Sequence, residues 1–367
     1  MTKHNSNNER IKRDYFEYLK ATGRHCEATV DAAAAAIHRF EKYTKFRDFK
    51  QFHIKQATAF RDHLSVLRAQ KSGEALSKAT QHSTLSCLKK FFFWLAGQPG
   101  YKSRLKYSDA DYFNSSAKDV RIATAQREQT CPTLEQVKHV ISVMPAGTEI
   151  ERRDRALVAF TLLTGARDSA IASLKLKHVD LIAEKVFQDA RDVKTKNSKT
   201  ITTYFFPVGD EIQAIVTEWV HFLRDEKLWG NDDPLFPATR MGFDPNFHFK
   251  ADGMERKHWS TATPIREAFR KAFALAGLPY FNPHCFRNTI VQIGERLCQT
   301  PEQFKSWSQN LGHWKVMTTL TSYGEVAVSR QGELIRSLRS PQAGATAGVS
   351  DLAKALAQEM KRLDGQS

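Results

Sequence analysis

The 367-residue sequence holds only five cysteines, Cys26, Cys87, Cys131, Cys285 and Cys298, an odd number with no C-x-x-C pair. That scatter excludes a disulfide framework or a zinc module as the organising principle, and reduced cytosolic thiols are expected. No uninterrupted apolar run reaches the ~20 residues that a membrane span requires. The opening stretch, MTKHNSNNERIKRDY, has no apolar segment of the kind a signal peptide carries. A cytoplasmic protein without a membrane partner is therefore expected. The thirteen histidines include no H-E-x-x-H and no carboxylate cluster at ligand spacing, and no Walker-type phosphate loop is present. The expected cofactor and metal content is none.

What the chain has in excess is positive charge, +15 overall with 55 Lys and Arg against 40 Asp and Glu. The excess is uneven. Residues 1–123 carry 23 basic against 12 acidic side chains, an excess of 11, and the remaining two thirds of the chain is nearly balanced. Such an asymmetry suits a polyanionic partner gripped mainly by the N-terminal part. The length allows two domains, each burying its own core.

Residues 9–97 read as helices. Ile11, Tyr15, Phe16 and Leu19 recur at helical spacing, as do Ile37, Phe40 and Tyr43 after the helix-forming run Ala32–Ala36. Two further helices are expected at about 53–68 and 76–96. The second ends in Lys89-Lys90-Phe91-Phe92-Phe93-Trp94, whose aromatics read as core and whose lysines, Lys89 and Lys90, read as phosphate contacts. Residues 98–130 lose all periodicity, and a linker between domains is expected there.

A capping box, Thr133 to Gln136, opens the second domain, and a helix at about 150–164 stops at Gly165. Short β segments follow over 178–206. Helices are expected again at about 208–225, 263–276, 284–298, 301–310 and 327–338. Residues 228–262 read as a long loop, a length that is normally functional or mobile. The segment 340–349 reads as a flexible linker, and 350–363 as a short helix with Leu352, Leu356, Met360 and Leu363 on one face.

Metal-free phosphodiester exchange needs cations on the non-bridging oxygens, a nucleophile, and an acid for the leaving oxygen. Arginine suits the first role, because its permanently charged planar fork meets phosphate oxygens bidentately. Tyrosine can attack, but with an unperturbed pKa of ~10 it needs a neighbour to take its proton. Four stretches offer these parts in order: Thr164-Gly165-Ala166-Arg167; the turn Lys194-Thr195-Lys196-Asn197-Ser198-Lys199; Pro283-His284-Cys285-Phe286-Arg287; and Leu311-Gly312-His313 followed by Thr321-Ser322-Tyr323. Three-residue spacing at a helix start puts His284 and Arg287 on one face. Singly, each has an ordinary explanation as a solvated cation, an ion-paired helix face, a charged turn or a core tyrosine. Together, in this order, they shift the balance.

With these motifs, the sequence closely resembles the tyrosine recombinase (phage integrase) family. Arg153 through Arg167 is similar to that family's first arginine box, Pro283–Thr289 to its His-x-x-Arg box, Leu311–His313 to its third box, and Thr321–Gly324 to its nucleophile segment. The resemblance implies a mainly α fold with a small antiparallel β-sheet in the catalytic domain, built as a two-domain C-shaped DNA clamp. It divides the chain into a helical core-binding domain (1–110), a linker (111–130), a catalytic domain (131–339) and a C-terminal linker and helix (340–367) that packs on a neighbouring protomer. Arg167 and Arg287 would clamp the scissile phosphate, Lys194 would protonate the leaving 5′ oxygen, and His284 would accept the proton of Tyr323. His313 would donate a hydrogen bond to the phosphate, and Tyr323 would form a 3′-phosphotyrosyl link. Lys196 and Lys199 join Lys89 and Lys90 as candidate DNA contacts.

The implied partners are double-stranded DNA at a specific recombination site, three further copies of the chain in a tetramer, and DNA-bending accessory proteins. Where the family has an acidic residue three positions after the first arginine, this chain has Ala170, with Asp168 nearby, and the interval from His313 to Tyr323 is one residue longer than the pattern. Two other functions share these residues: a DNA-binding accessory protein of the same fold, and a topoisomerase with the same chemistry. Covalent capture and its dependence on a defined DNA sequence would separate the three.

Overall fold

The computed structural model of the chain describes residues 4–23, 26–68, 73–125, 130–243 and 247–313. The chain divides into two compact units, Met1–Gln126 and Arg127–Ser367. Within the described residues it is mainly helical, with two small antiparallel sheets.

The first unit contains α1 (Ser6–Ala21), α2 (Glu27–Tyr43), α3 (Ile54–Val66), α4 (Lys78–Ala96) and α5 (Ala117–Thr124). The side chain of Asn5 starts α1 by accepting from the amides of Asn7 and Asn8. Ile11, Tyr15 and Leu19 then turn one stripe of the helix inward. The core is largely aromatic. Phe40 meets Phe60, Phe92 and Phe113 edge-on, with ring centroids 5.2, 5.4 and 5.6 Å apart. Phe91 and Phe92 are buried in that core, and Phe93 faces out.

Residues 98–125 are not a linker. Tyr101, Leu105, Ala110 and Phe113 are buried in the first core, with Tyr107–Phe113 forming a 3-10 turn and α5 packing against α4. The buried apolar residues here are separated by exposed Tyr107 and Tyr112, so they do not repeat with a helical period.

The second unit begins with α6 (Leu134–Val143), opened by the Thr133–Gln136 capping box, and α7 (Glu149–Thr164), whose last three turns are buried almost all round. A one-turn helix, α8 (Asp168–Ile171), follows. Strands β1 (Val179–Asp180), β2 (Lys185–Gln188) and β3 (Ile201–Tyr204) form a meander in the order β1-β2-β3, with Val179 opposite Val186 and Gln188 opposite Ile201. After α9 (Asp210–His221) and one π-helical turn, residues 228–262 depart from the expected loop. They contain a hairpin of β4 (Ala238–Phe243) and β5 (Phe249–Glu255). Its exposed Met241, Phe243 and Phe249 lack the polar alternation by which a half-buried strand is read from sequence.

The described part of the unit ends with α10 (Thr263–Leu275), α11 (Cys285–Leu297) and α12 (Pro301–Asn310). Asn310 anchors the end of α12 to β3, accepting the Tyr204 amide at 2.7 Å and donating to the Tyr204 carbonyl at 2.9 Å. The helix expected at 327–338 and the segments 340–349 and 350–363 lie outside the described residues. Among the described residues no helix is long and apolar enough to cross a membrane.

Gly165 ends α7 in the left-handed region, at φ +59°, with its amide on the Thr161 carbonyl. A Cβ there would lie 2.8 Å from Leu311 Cδ2 and 3.1 Å from Ile290 Cδ1. Gly165→Ala therefore combines backbone strain with overpacking and is expected to cost about 2–4 kcal/mol in urea unfolding. A loss below about 0.5 kcal/mol would show that the turn relaxes freely.

Candidate active site

The turn closing α7 delivers Arg167 as the residue before α8, half-buried and in an extended conformation. Asp168 follows it, and its Oδ2 accepts from both Nε and Nη2 of Arg266 in α10, at 2.9 and 2.7 Å. Ala170, at the position where the family pattern is acidic, is buried in the core instead.

His284 precedes α11, its amide on Asn282 Oδ1 at 2.9 Å, and Arg287 lies one turn later. Arg287 is only 2% exposed. Its guanidinium joins three separate stretches of sequence. Nη1 donates to the Gly165 carbonyl, and Nη2 donates to the Leu311 carbonyl at 2.5 Å and lies 3.0 Å from His313 Nε2. Since an arginine can only donate, His313 Nε2 accepts and its mobile proton sits on Nδ1. The 311–313 turn reaches this position because Asn310 fixes the end of α12 to β3.

Burial lowers the pKa of His284, and the positive charges of Arg287, Arg167 and Lys196 lower it further; Asp168 works in the opposite direction. His313 is depressed to about 3 for the same reasons, burial first and then Arg287 and Arg167. Both imidazoles are thus neutral near pH 7. Burial is the larger cause in both, and the cations around the two rings act in the same direction.

The lysine turn between β2 and β3 is anchored at its start. Val193 is buried, and its amide donates to the Asp189 carbonyl at 2.7 Å. The Lys194 amide donates to Ser173 Oγ at 2.9 Å. After the half-buried Thr195 the chain is exposed and passes through positive φ at Asn197 and Ser198. Lys196 belongs to the electrostatic surroundings of His284 and His313, whereas the charge of Lys194 acts on His258.

In the first unit Lys89 is paired with Asp111 at 2.8 Å and donates to Asn114 Oδ1, so a phosphate would have to compete for it; Lys90 is exposed. Lys199 is exposed at the end of the turn. Tyr323 lies outside the described residues. Sequence reasoning missed Ser173 and Arg266, since a lone serine and a lone helix arginine carry no motif. Among the described residues no group of three or more His, Cys, Asp or Glu is arranged to hold a metal ion.

Residues 133–330 match the model of the phage integrase family. Among curated proteins, the chain is 25% identical over 225 residues to tyrosine recombinase XerC 2 of Ralstonia nicotianae, covering 60% of this chain and 60% of that recombinase's own length. It is 21% identical over 316 residues to tyrosine recombinase XerC of Bacillus pumilus, covering 86% of this chain and 91% of the relative. Two solved structures share the fold at low identity. A lambda integrase dimer bound to a COC′ core site superposes with a TM-score of 0.58 at 13% identity, over 87% of this chain and 80% of that one. The Tn1549 transposon integrase in complex with transposon right end DNA gives 0.55 at 12% identity, over 90% and 99%.

Proposed function

Because the chain belongs to the phage integrase family, we propose that it is a site-specific DNA recombinase that cuts and rejoins strands through a 3′-phosphotyrosyl intermediate. The observation that carries this reading is the Arg287 guanidinium. It ties the Gly165 turn to the Leu311–His313 turn, and burial together with the charges of Arg287 and Arg167 keeps the two histidines neutral. A phosphodiester is the anion whose charge and geometry suit two arginines beside neutral imidazoles.

Arg167 and Arg287 hold its non-bridging oxygens. Tyr323 Oη attacks phosphorus, and its proton passes to the neutral imidazole of His284. The bond from phosphorus to the 5′ oxygen breaks, and that oxygen takes a proton from Lys194 Nζ. His313 donates from Nδ1, because its Nε2 faces Arg287. The phosphotyrosyl ester conserves the bond energy, so the 5′ hydroxyl of another strand can reverse the step without ATP. Double-stranded DNA at a defined site is the proposed substrate, and four copies of the chain, aided by DNA-bending proteins, the proposed assembly. Lys90, Lys196 and Lys199 are proposed as phosphate contacts, and Lys89 as one only where it gives up Asp111.

Lys194 is preferred as the acid over Lys196 because its backbone is hydrogen-bonded to the interior of the unit, and a general acid must be held in place to act. Lys194→Ala is expected to lose about 10²- to 10⁴-fold in cleavage of ordinary DNA. A 5′-bridging phosphorothiolate, whose leaving group needs no proton, is expected to restore that variant to near the parent rate. Rescue of Lys196→Ala, with Lys194→Ala inert on both substrates, would move the acid to Lys196.

A further inference from the structure

We infer that Ser173 is a positioning residue for the general acid: its hydroxyl fastens the backbone of Lys194 to the one-turn helix that follows Arg167. The inference rests on the assignment of Lys194 above and extends it to a residue that takes no part in the family pattern.

Ser173 is 8% exposed and lies twenty-one residues from Lys194 in the chain. Its Oγ accepts the Lys194 amide at 2.9 Å and donates to the Ala170 carbonyl at 3.0 Å. The hydroxyl therefore uses its single proton on α8 and a lone pair on the lysine turn. Within α8 the Ile171 amide returns to the Arg167 carbonyl at 2.9 Å, and the Ser173 amide to that of Ala170, also at 2.9 Å. The backbone of the phosphate-binding arginine and that of the acid are thus joined through one helical turn and one hydroxyl.

The approach to Lys194 is restrained as well. Asp192 accepts from Lys177 at 2.8 Å and from Lys175 at 3.3 Å, and these two lysines lower its pKa to about 2. Between this ion cluster and Ser173, Val193 is buried in the core. Restraint ends there: no described hydrogen bond from the interior reaches the exposed residues 196–198 that follow. The Lys194 side chain is exposed, and the bond from its amide to Ser173 ties its backbone to the interior.

Ser173→Ala removes the acceptor and leaves a part-buried amide without a partner. The local register of the turn loosens, but no charge is lost. Misplacing a catalytic group by about 1 Å can cost of order 10²-fold. Single-turnover cleavage by the full chain should be measured on the duplex that traps the parent protein, made once with ordinary phosphate and once with a 5′-bridging phosphorothiolate.

Ser173→Ala is expected to cleave ordinary DNA at least about tenfold more slowly, to recover on the phosphorothiolate, and to lose hydrogen-exchange protection at the Lys194 amide. Ser173→Thr keeps the oxygen and is expected to stay within about threefold of the parent on both substrates. A purely structural serine would slow both substrates alike, and that result overturns the inference while leaving Lys194 as the acid. An unchanged rate for Ser173→Ala on ordinary DNA does the same. Failure of the phosphorothiolate to rescue Lys194→Ala removes the assignment itself, and the inference with it.

Discussion

Tyr323→Phe is expected to abolish the covalent protein–DNA adduct, a fall of at least about 10³-fold, while duplex affinity stays within a factor of about two. The substitution keeps the ring and deletes only the attacking oxygen. Binding rests on cations distributed along the chain, whose total charge of +15 is untouched. The measurement is a detergent-resistant complex on a nicked duplex, run beside a binding titration at the same salt. Persisting adduct in Tyr323→Phe would place the nucleophile elsewhere. Loss of adduct together with loss of binding would show that the ring, rather than its hydroxyl, holds the complex together.

Arg287→Lys is the second large effect, and it separates chemistry from architecture. The substitution preserves charge but replaces a fork that donates to the Gly165 and Leu311 carbonyls and faces His313 with a single ammonium. Cleavage is expected to fall by about 10²-fold or more, by analogy with the loss of one oxyanion donor. Because Arg287 is 2% exposed, stability is expected to fall too, by about 1–3 kcal/mol, as at least one buried carbonyl loses its donor.

Arg167→Lys provides the contrast. Arg167 is only half-buried at the start of a one-turn helix, so its loss is expected to be similar in rate and small in stability. Single-turnover cleavage and urea unfolding of both variants test the division. A near-normal cleavage rate for either lysine variant would remove that arginine from the phosphate clamp. An Arg287→Lys chain as stable as the parent would show that the lysine, or a water, meets both carbonyls.

Elements with a strong local code were legible from the sequence. The Thr133 box announced the helix 134–143 and Gly165 the end of 149–164, and the helices 54–66, 78–96 and 301–310 lie close to where they were expected. The family motifs named the candidate groups for the same reason, since a catalytic box is a short run with fixed spacing. Residues 98–125 and 238–255 were not legible, because their order depends on partners. Phe113 is in the core because Phe40, Phe52 and Phe92 surround it, and β4 is a strand because β5 pairs with it.

The sequence by itself determined the helical class of the protein and its charge asymmetry, and it supplied the candidate reactive groups. These depend on residue type and near-neighbour spacing, which the chain carries in one dimension. Only the tertiary structure decided that Arg287 would be the junction of the Gly165 and Leu311 turns, that Asp168 would pair with Arg266, and that Ser173 would hold Lys194. Those contacts link residues 122, 24, 98 and 21 positions apart. Hydrogen bonds of that kind form between groups brought together by core packing, and no local pattern encodes which donor will meet which acceptor.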